Sequence, residues 1–499
     1  MRNEIAIFVL FTALFVLCMN GRFSTSMDVE VYETVKRLVH TGSFGLEKET
    51  MASRVGRDGK HYCVEGLLVM LCAVPFYLIS LIFGHPSGES IVLMNQFLTS
   101  LVCVLVYVLG RQFGFSKRCS LLLTAVYGLG TMAFVHSKYM FPEPLASIFF
   151  LLALFFLFKY RKERSAKLLP LTGIFAGATI LIRPDSVLFL LGVGGAVLFL
   201  IIEDVRERRG PLSRHVKCLL LFALPLMFFF SVFALYNYLR FGSVFETGYA
   251  LPLEKRLVKL SYPRQLLSVG DTIKGFLGMW IIPNRSIFLI NPVLVLLLFA
   301  LRDFWKKFRF ELMVMGFLFL EFTYLYCNRG PLSFTGSAAW GVRYMIPMVS
   351  LMVLPIGLFL DTIFSQNRKG WKRVFVILLT VSFVIQLVGS SVNYQTVQMP
   401  AERHFGGSEA RLKLTMDPSW SLLWRNIEIL VRYGPQDFMF YNFIRRGDVP
   451  GWAGVSLLLL VITLLSSGYL FLTSLLPPAE APARDGTTKG RERRGRKRT

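Results

Sequence analysis

The sequence predicts an all-α polytopic membrane protein with about 12 transmembrane helices. Three observations carry this. The chain of 499 residues is 54% hydrophobic and 14% aromatic, with a mean hydropathy of +0.54, too apolar for one soluble core. Its apolar runs approach 20 residues, the length a helix needs to cross the hydrocarbon layer. Its Lys and Arg residues gather in short turns between those runs and in the C-terminal tail, as the positive-inside rule expects. A spanning segment must satisfy its backbone internally, which leaves helices or closed barrels, and no series of alternating ten-residue segments suggests a barrel.

The elements follow in order. Residues 1–19 have a charged end and an apolar core, but Asn20-Gly21-Arg22 offers no small-x-small cleavage site, so this is read as a retained first span. Residues 21–64 form a polar first loop. Within it Val31, Val35, Leu38 and Val39 fall at helical spacing, with Asp28, Glu30, Glu33, Lys36 and Arg37 on the other side, which predicts a short amphipathic helix in the membrane interface with its acids facing water or a cavity. Residues 65–83 are apolar but contain Pro75. Spans are then expected at 91–110, 119–137, 145–158, 218–239, 287–301, 310–327, 345–360, 374–392 and 452–475. The stretch 168–202 is too long for one span and should form two helices turning at Arg183, because Pro184 disfavours a helical conformation in the residue before it.

If 65–83 only dips into the membrane, there are 12 spans with both termini cytoplasmic; if it crosses, there are 13 and the N-terminus is external. Residues 1–392 form the main transmembrane module with the first loop. An external loop at 393–450, a last helix at 451–476 and a disordered basic tail at 477–499, in contact with anionic lipids, complete the chain. A formal charge of +24 invites a nucleic-acid reading, but the basic residues are dispersed over turns and tail, so no nucleic-acid partner is expected. The seven cysteines are scattered, without CxxC or His pairing at ligand spacing, so neither a disulfide framework nor a metal site is expected.

On the 12-span reading, the deep ionisable residues all fall at the external side: Asp28, Glu143, Arg183, Asp185, Arg285 and Arg343, with Lys60 and His61 in the first loop. A charge at mid-bilayer costs about 2.5 to 3.5 kcal/mol on insertion scales, so such residues border a cavity and pair. Each also has a plainer reading, since Asp28, Glu143 and Asp185 could cap helices and Arg183 could pair locally with Asp185. Acids beside several guanidinium groups at a membrane surface suit displacement of a phosphate leaving group from a lipid-linked sugar, with an acid deprotonating the acceptor hydroxyl.

The stretches Ser26-Met27-Asp28-Val29-Glu30, Gly56-Arg57-Asp58-Gly59-Lys60-His61-Tyr62, Phe141-Pro142-Glu143-Pro144, Leu181-Ile182-Arg183-Pro184-Asp185, Arg240-Phe241-Gly242-Ser243, Pro283-Asn284-Arg285-Ser286 and Trp340-Gly341-Val342-Arg343 lie in this order at external helix ends. In this the chain resembles the GT-C superfamily of polyprenyl-phosphate-sugar glycosyltransferases, in the group of the protein O-mannosyltransferases and the lipid A aminoarabinose transferase. The resemblance implies a GT-C-like fold with an extracytoplasmic first loop and 65–83 as a juxtamembrane element, hence the 12-span topology. It implies Asp28 as general base, shared with Glu30 where the mannosyltransferases often have an adjacent acid, and Glu143 as the second acid. It implies Arg183 near the lipid phosphate, with Lys60, Arg285 and Arg343 as further phosphate partners, and no metal or other cofactor.

The resulting expectation is a multi-pass glycosyltransferase of the cytoplasmic membrane. It would move a sugar from a polyprenyl-phosphate donor to an acceptor hydroxyl, on protein or glycolipid, at the outer face. The alternative is a transporter or flippase of a lipid-linked saccharide, although internal repeats and broken midplane helices are not evident. Arg403 and His404 in the late loop also keep an O-antigen type polymerase or ligase open.

Overall fold

The computed structural model describes residues 2–50, 53–82, 89–249, 269–282, 284–327, 339–406, 414–447 and 450–475. The basic tail expected to be disordered lies outside these residues. The fold is helical throughout. The only paired strands among the described residues are Arg54–Val55 and His61–Tyr62, an antiparallel hairpin in the first loop.

The chain opens with α1 (Arg2–Leu17) and α2 (Ser26–Thr41), then α3 (Leu67–Ile82), α4 (Met94–Gln112), α5 (Lys117–Gly130) and the short α6 (Ala133–His136). It continues through α7 (Glu143–Glu163), α8 (Leu168–Ala178), α9 (Val187–Arg206), α10 (Leu212–Phe241), α11 (Val269–Trp280) and the short α12 (Ile287–Ile290). After these come α13 (Leu296–Lys307), α14 (Arg309–Cys327), α15 (Ile346–Ser365), α16 (Lys369–Ser391) and α17 (Gln395–Phe405), with further helices at Leu422–Tyr433, Met439–Arg446 and Gly451–Leu475.

Among the described residues eight helices are by themselves long and apolar enough to cross a membrane. Four further segments expected to span are shorter or interrupted. α1 has 16 residues, α5 is followed by a break at Thr131 before α6, α8 passes into a 3-10 turn, and α12 is separated from α13 by a 3-10 turn starting at Pro292. The turn at Arg183 forms as the sequence predicts: Arg183 is extended (φ −147°, ψ 131°) between two helical segments, with Pro184 opening the next turn.

Burial separates the core from the lipid-facing helices. The apolar window of Arg343–Ser365 is 89% buried and that of Glu143–Glu163 is 72% buried, against 11% for Leu212–Phe241 and for Trp452–Leu475. α4, α5, α7 and α15 pack on one another at the centre. In hydrocarbon, association cannot draw on water exclusion, so this centre is held by close packing, as where the Phe150 and Phe189 rings stack at 3.7 Å between centroids.

The structure corrects the sequence reading of the first-loop helix in one respect and narrows it in another. Thr25, not Asp28, is its N-cap; Asp28 is the third helical residue of a reciprocal capping box. Of the two surroundings expected for its acids, water or a cavity, water is ruled out for Asp28 and Glu30, which are buried with Val31 and Val35 because α2 packs against protein on more than one side. In the late loop, the helices at Leu422–Tyr433 and Met439–Arg446 leave Trp424, Val431, Tyr433 and Ile444 exposed, a pattern suited to the membrane interface. Trp420 instead packs beneath the Arg425 guanidinium and against Phe405.

Candidate active site

The site is organised by the six residues between α6 and α7 and the glutamate that follows them. Asn95 of α4 donates from its side-chain amide to the carbonyls of Tyr139 and Phe141, at 2.8 Å for the latter, and so fixes this turn from below. Asp28 lies at one end of the turn. Its Oδ2 accepts the N–H groups of Ser24 (2.7 Å) and Thr25 (2.8 Å), and its Oδ1 accepts the N–H of Met140 at 3.1 Å. Burial pushes the Asp28 carboxyl up from the ordinary aspartate range, opposed by these hydrogen bonds, which favour the carboxylate.

Glu143 stands at the other end, as the first residue of α7, and is completely buried. Its Oε1 lies 2.6 Å from an Arg183 guanidinium nitrogen and 3.3 Å from Nε of Arg343. Arg183 also forks onto Asp185, with distances of 3.0 and 2.8 Å, and Asp185 accepts the Tyr326 hydroxyl at 2.8 Å. The Tyr344 ring stacks on Tyr326 at 4.8 Å and lies under both guanidinium groups, 4.7 Å from Arg183 and 5.0 Å from Arg343. Arg343 further sits 3.8 Å from the centre of the Phe141 ring. Arg183, Asp185 and Arg343 thus gather around Glu143, and Asp28 is joined to the same turn through Met140.

Two residues that sequence reasoning passed over belong here. Glu65, just before α3, is fully buried. It is electrostatically coupled to Arg183, Glu143, Arg343 and Glu30, and burial raises its carboxyl to about 7. Its Oε1 accepts the Tyr249 hydroxyl at 3.3 Å, and its Oε2 has no partner among the described residues. Gly66 explains how Glu65 comes so close. A Cβ at Gly66 would sit 2.2 Å from the Leu181 carbonyl oxygen and 2.4 Å from that of Ile182, so only glycine lets this segment run against the Arg183 turn. A glutamate on the edge of an apolar run carried little signal, although the adjacent glycine was a visible clue.

The second is Asp437 of the late loop. Its carboxylate is buried between Lys138 Nζ (2.5 Å) and Arg22 (3.1 Å), and Lys138 also donates to the Ser390 carbonyl at 2.6 Å. The late loop is therefore pinned to the same turn that carries Asp28 and Glu143. Nothing in its local sequence, Gly-Pro-Gln-Asp, marked it.

The remaining sequence candidates lie elsewhere. Glu30, two positions after Asp28, points away from it, as i and i+2 do on a helix, and is buried near Arg54 and Glu65. Arg285 is buried and donates to the carbonyls of Ala339 and Gly341, so it braces the loop leading to Arg343. Lys60 is exposed on the first-loop hairpin, where its N–H donates to Asp58. Arg240, part of another quoted stretch, donates to the Cys63 carbonyl at 2.7 Å and ties α10 to the strand that leads into Glu65. Among the described residues no three His, Cys, Asp or Glu side chains are placed to hold a metal ion.

Asp28 thus stands on one side of one short turn, with the Arg183 and Arg343 guanidinium groups on the other. Comparison with known proteins bears on this geometry. Residues 74–239 match the family described as dolichyl-phosphate-mannose-protein mannosyltransferase. The match takes in Glu143, Arg183 and Asp185, and leaves Asp28, Glu65 and Arg343 outside. A search of curated proteins found no match. Among solved structures, ArnT from Cupriavidus metallidurans bound to undecaprenyl phosphate is 13% identical, with 94% of this chain and 76% of that chain covered and a TM-score of 0.47. The archaeal oligosaccharyltransferase AglB from Archaeoglobus fulgidus, in complex with an inhibitory peptide and a dolichol-phosphate, is 13% identical, with 84% of this chain covered and a TM-score of 0.48. The chain spans 59% of the length of that oligosaccharyltransferase. Over residues 74–239 the chain is thus similar to the dolichyl-phosphate-mannose-protein mannosyltransferases.

Proposed function

We propose that the protein is a membrane glycosyltransferase that moves a sugar from a polyprenyl-phosphate carrier to an acceptor hydroxyl at the extracytoplasmic face of the cell membrane. The observation that carries this reading is that the turn Lys138–Glu143 holds Asp28 at Met140 and two guanidinium groups at Glu143. Its family match over residues 74–239 supports it.

Asp28 takes the proton of the acceptor hydroxyl as the acceptor oxygen attacks the anomeric carbon. The bond from that carbon to the phosphate oxygen breaks, and its electrons leave with the polyprenyl phosphate. Arg183 spends three of its N–H donors on Glu143 and Asp185, and a guanidinium has five. Two remain for phosphate oxygens, and Arg343 adds a second cation. The acids fix the Arg183 guanidinium plane before the lipid arrives, so little ordering of that group remains to be done at the transition state. With Glu65 protonated, Glu143 and Asp185 balance Arg183 and Arg343, and the departing phosphate meets no excess negative charge. No metal is given a part in this reaction.

The test is release of polyprenyl phosphate from a panel of polyprenyl-phosphate sugars by the purified protein in lipid, with membrane extract supplying the acceptor. Release that requires both extract and Asp28 is the expected result. Release by Asp28→Asn at the wild-type rate would overturn the assignment of the base.

A further inference from the structure

Beside Asp28 an open cavity of about 440 Å³ lies between the end of the first span and α17. Ser24 lines it, and the Ser24 N–H is the one that Asp28 Oδ2 accepts at 2.7 Å, so the cavity wall is one hydrogen bond from the carboxylate. On the opposite wall Asn393 precedes Tyr394, whose ring packs on Tyr139 at 5.5 Å and which is electrostatically coupled to both Arg343 and Asp28. The cavity therefore reaches the Ser24 backbone that Asp28 holds, with Asp28 itself buried behind this wall.

Its lining has a definite chemistry. Among the described residues that line it, Arg22 and Arg403 are the charged ones and none is a carboxylate. Arg22 is held by Asp437, yet its side chain stays 57% exposed. Because Lys138 shares the same Asp437, the three charges leave one positive charge over, to which the exposed Arg403 adds another. Asn393, Gln395 and Thr396 supply neutral hydrogen-bonding groups, while Phe23 and Pro400 supply an apolar wall of the kind that packs against the C–H face of a sugar. Two arginines with neutral polar groups and an aromatic ring form a site for an anionic saccharide.

We infer that this cleft receives the acceptor, and that the acceptor is a saccharide bearing a phosphate or carboxylate group seated between Arg22 and Arg403. This rests on Asp28 acting as the base. The hydroxyl to be glycosylated would lie at the Ser24 end and the anionic group at the Arg403 end. An uncharged acceptor would leave the surplus positive charge of this cleft unmatched.

The test uses the full chain in lipid nanodiscs, with Thr396→Cys introduced on the cleft wall and labelled by a membrane-impermeant maleimide; the parent protein controls for the native cysteines. The probes are methyl glucoside 6-phosphate, methyl glucuronoside, neutral methyl glucoside and inorganic phosphate, with a glucuronosyl diacylglycerol in the nanodisc to separate a lipid-borne acceptor from a soluble one. The anionic saccharides are expected to slow labelling at least fivefold and the neutral glucoside less than twofold. Added Arg403→Glu should remove the protection. Protection by all saccharides alike, by inorganic phosphate alone, or by none overturns the proposal, as does protection that survives Arg403→Glu. Polyprenyl phosphate release is read separately on the same preparation. Release without protection removes the acceptor site alone, whereas protection without release leaves an anionic-saccharide site and removes the transferase.

Discussion

Asp28 accepts the backbone N–H of Met140, 112 positions later in the chain, at 3.1 Å. The residue assigned as the base therefore also ties the first loop to the turn carrying Glu143. Asp28→Asn should abolish transfer, but it cannot be silent for the fold. Its amide can present an acceptor to Ser24 and Thr25 or to Met140, not to both, and a buried donor left unpaired costs about 1–3 kcal/mol. The expected outcome is loss of polyprenyl phosphate release with a measurable drop in thermal midpoint, read by a melt in detergent or nanodiscs. An unchanged midpoint would contradict the hydrogen bonding described.

Glu143 concentrates two guanidinium groups on one oxygen. Removing it by Glu143→Ala leaves both buried cations short of charge, a loss of about 3–5 kcal/mol for a buried pair broken from one side. Arg183→Lys keeps the charge but loses the fork onto Asp185 and Glu143. It should raise the donor KM about tenfold, with smaller effects on stability. Steady-state kinetics with varied donor, beside a melt for each variant, separates the two effects.

Glu65 titrates in an accessible range. Its folded carboxyl is raised to about 7, above the unfolded value, so the folded state binds the proton more tightly. The stability it contributes is present below the unfolded pKa and is lost as pH rises through about 7. Glu65→Gln should therefore match the wild type near pH 5 and be more stable near pH 8, by something on the order of 3 kcal/mol. Melts across pH 5–8 check this; parallel curves for the two proteins would refute it. If ionised Glu65 opposes phosphate binding, the donor KM should also rise with pH in the wild type and stay flat in the variant.

Gly66 is a packing requirement. Gly66→Ala puts a methyl group within 2.2 Å of a backbone carbonyl oxygen, and overpacking of this kind costs about 1–3 kcal/mol. It should push Glu65 off the Arg183 turn, lowering both the thermal midpoint and transfer, while Gly59→Ala, which meets nothing nearby although its φ of +76° is strained, should affect stability alone.

Lys138 and Asp437 form a buried pair whose partners can be removed together. Lys138→Met and Asp437→Leu should each destabilise by about 3–5 kcal/mol, and the double variant should recover much of that, since a buried pair is often replaceable by apolar side chains. Chemical denaturation of the four proteins completes the cycle. Additive losses would mean that the pair does not act as a unit.

The sequence by itself determined that the chain is helical and membrane-embedded, because apolar length and turn charge are local properties. It also determined the break at Arg183, because Pro184 acts on its neighbour, and the candidate acids and arginines at helix ends, because charge in an apolar context is visible residue by residue. Only the tertiary structure decided which of these meet. Arg285 has the same local look as Arg343, yet it braces a loop, because its guanidinium is met by the carbonyls of Ala339 and Gly341 and not by Glu143. Glu65 and Asp437 were illegible for the opposite reason: what makes each matter is a partner more than 70 positions away, Arg183 for one and Lys138 for the other. The burial of Asp28 likewise depends on the turn that packs over it, and no local pattern encodes that contact.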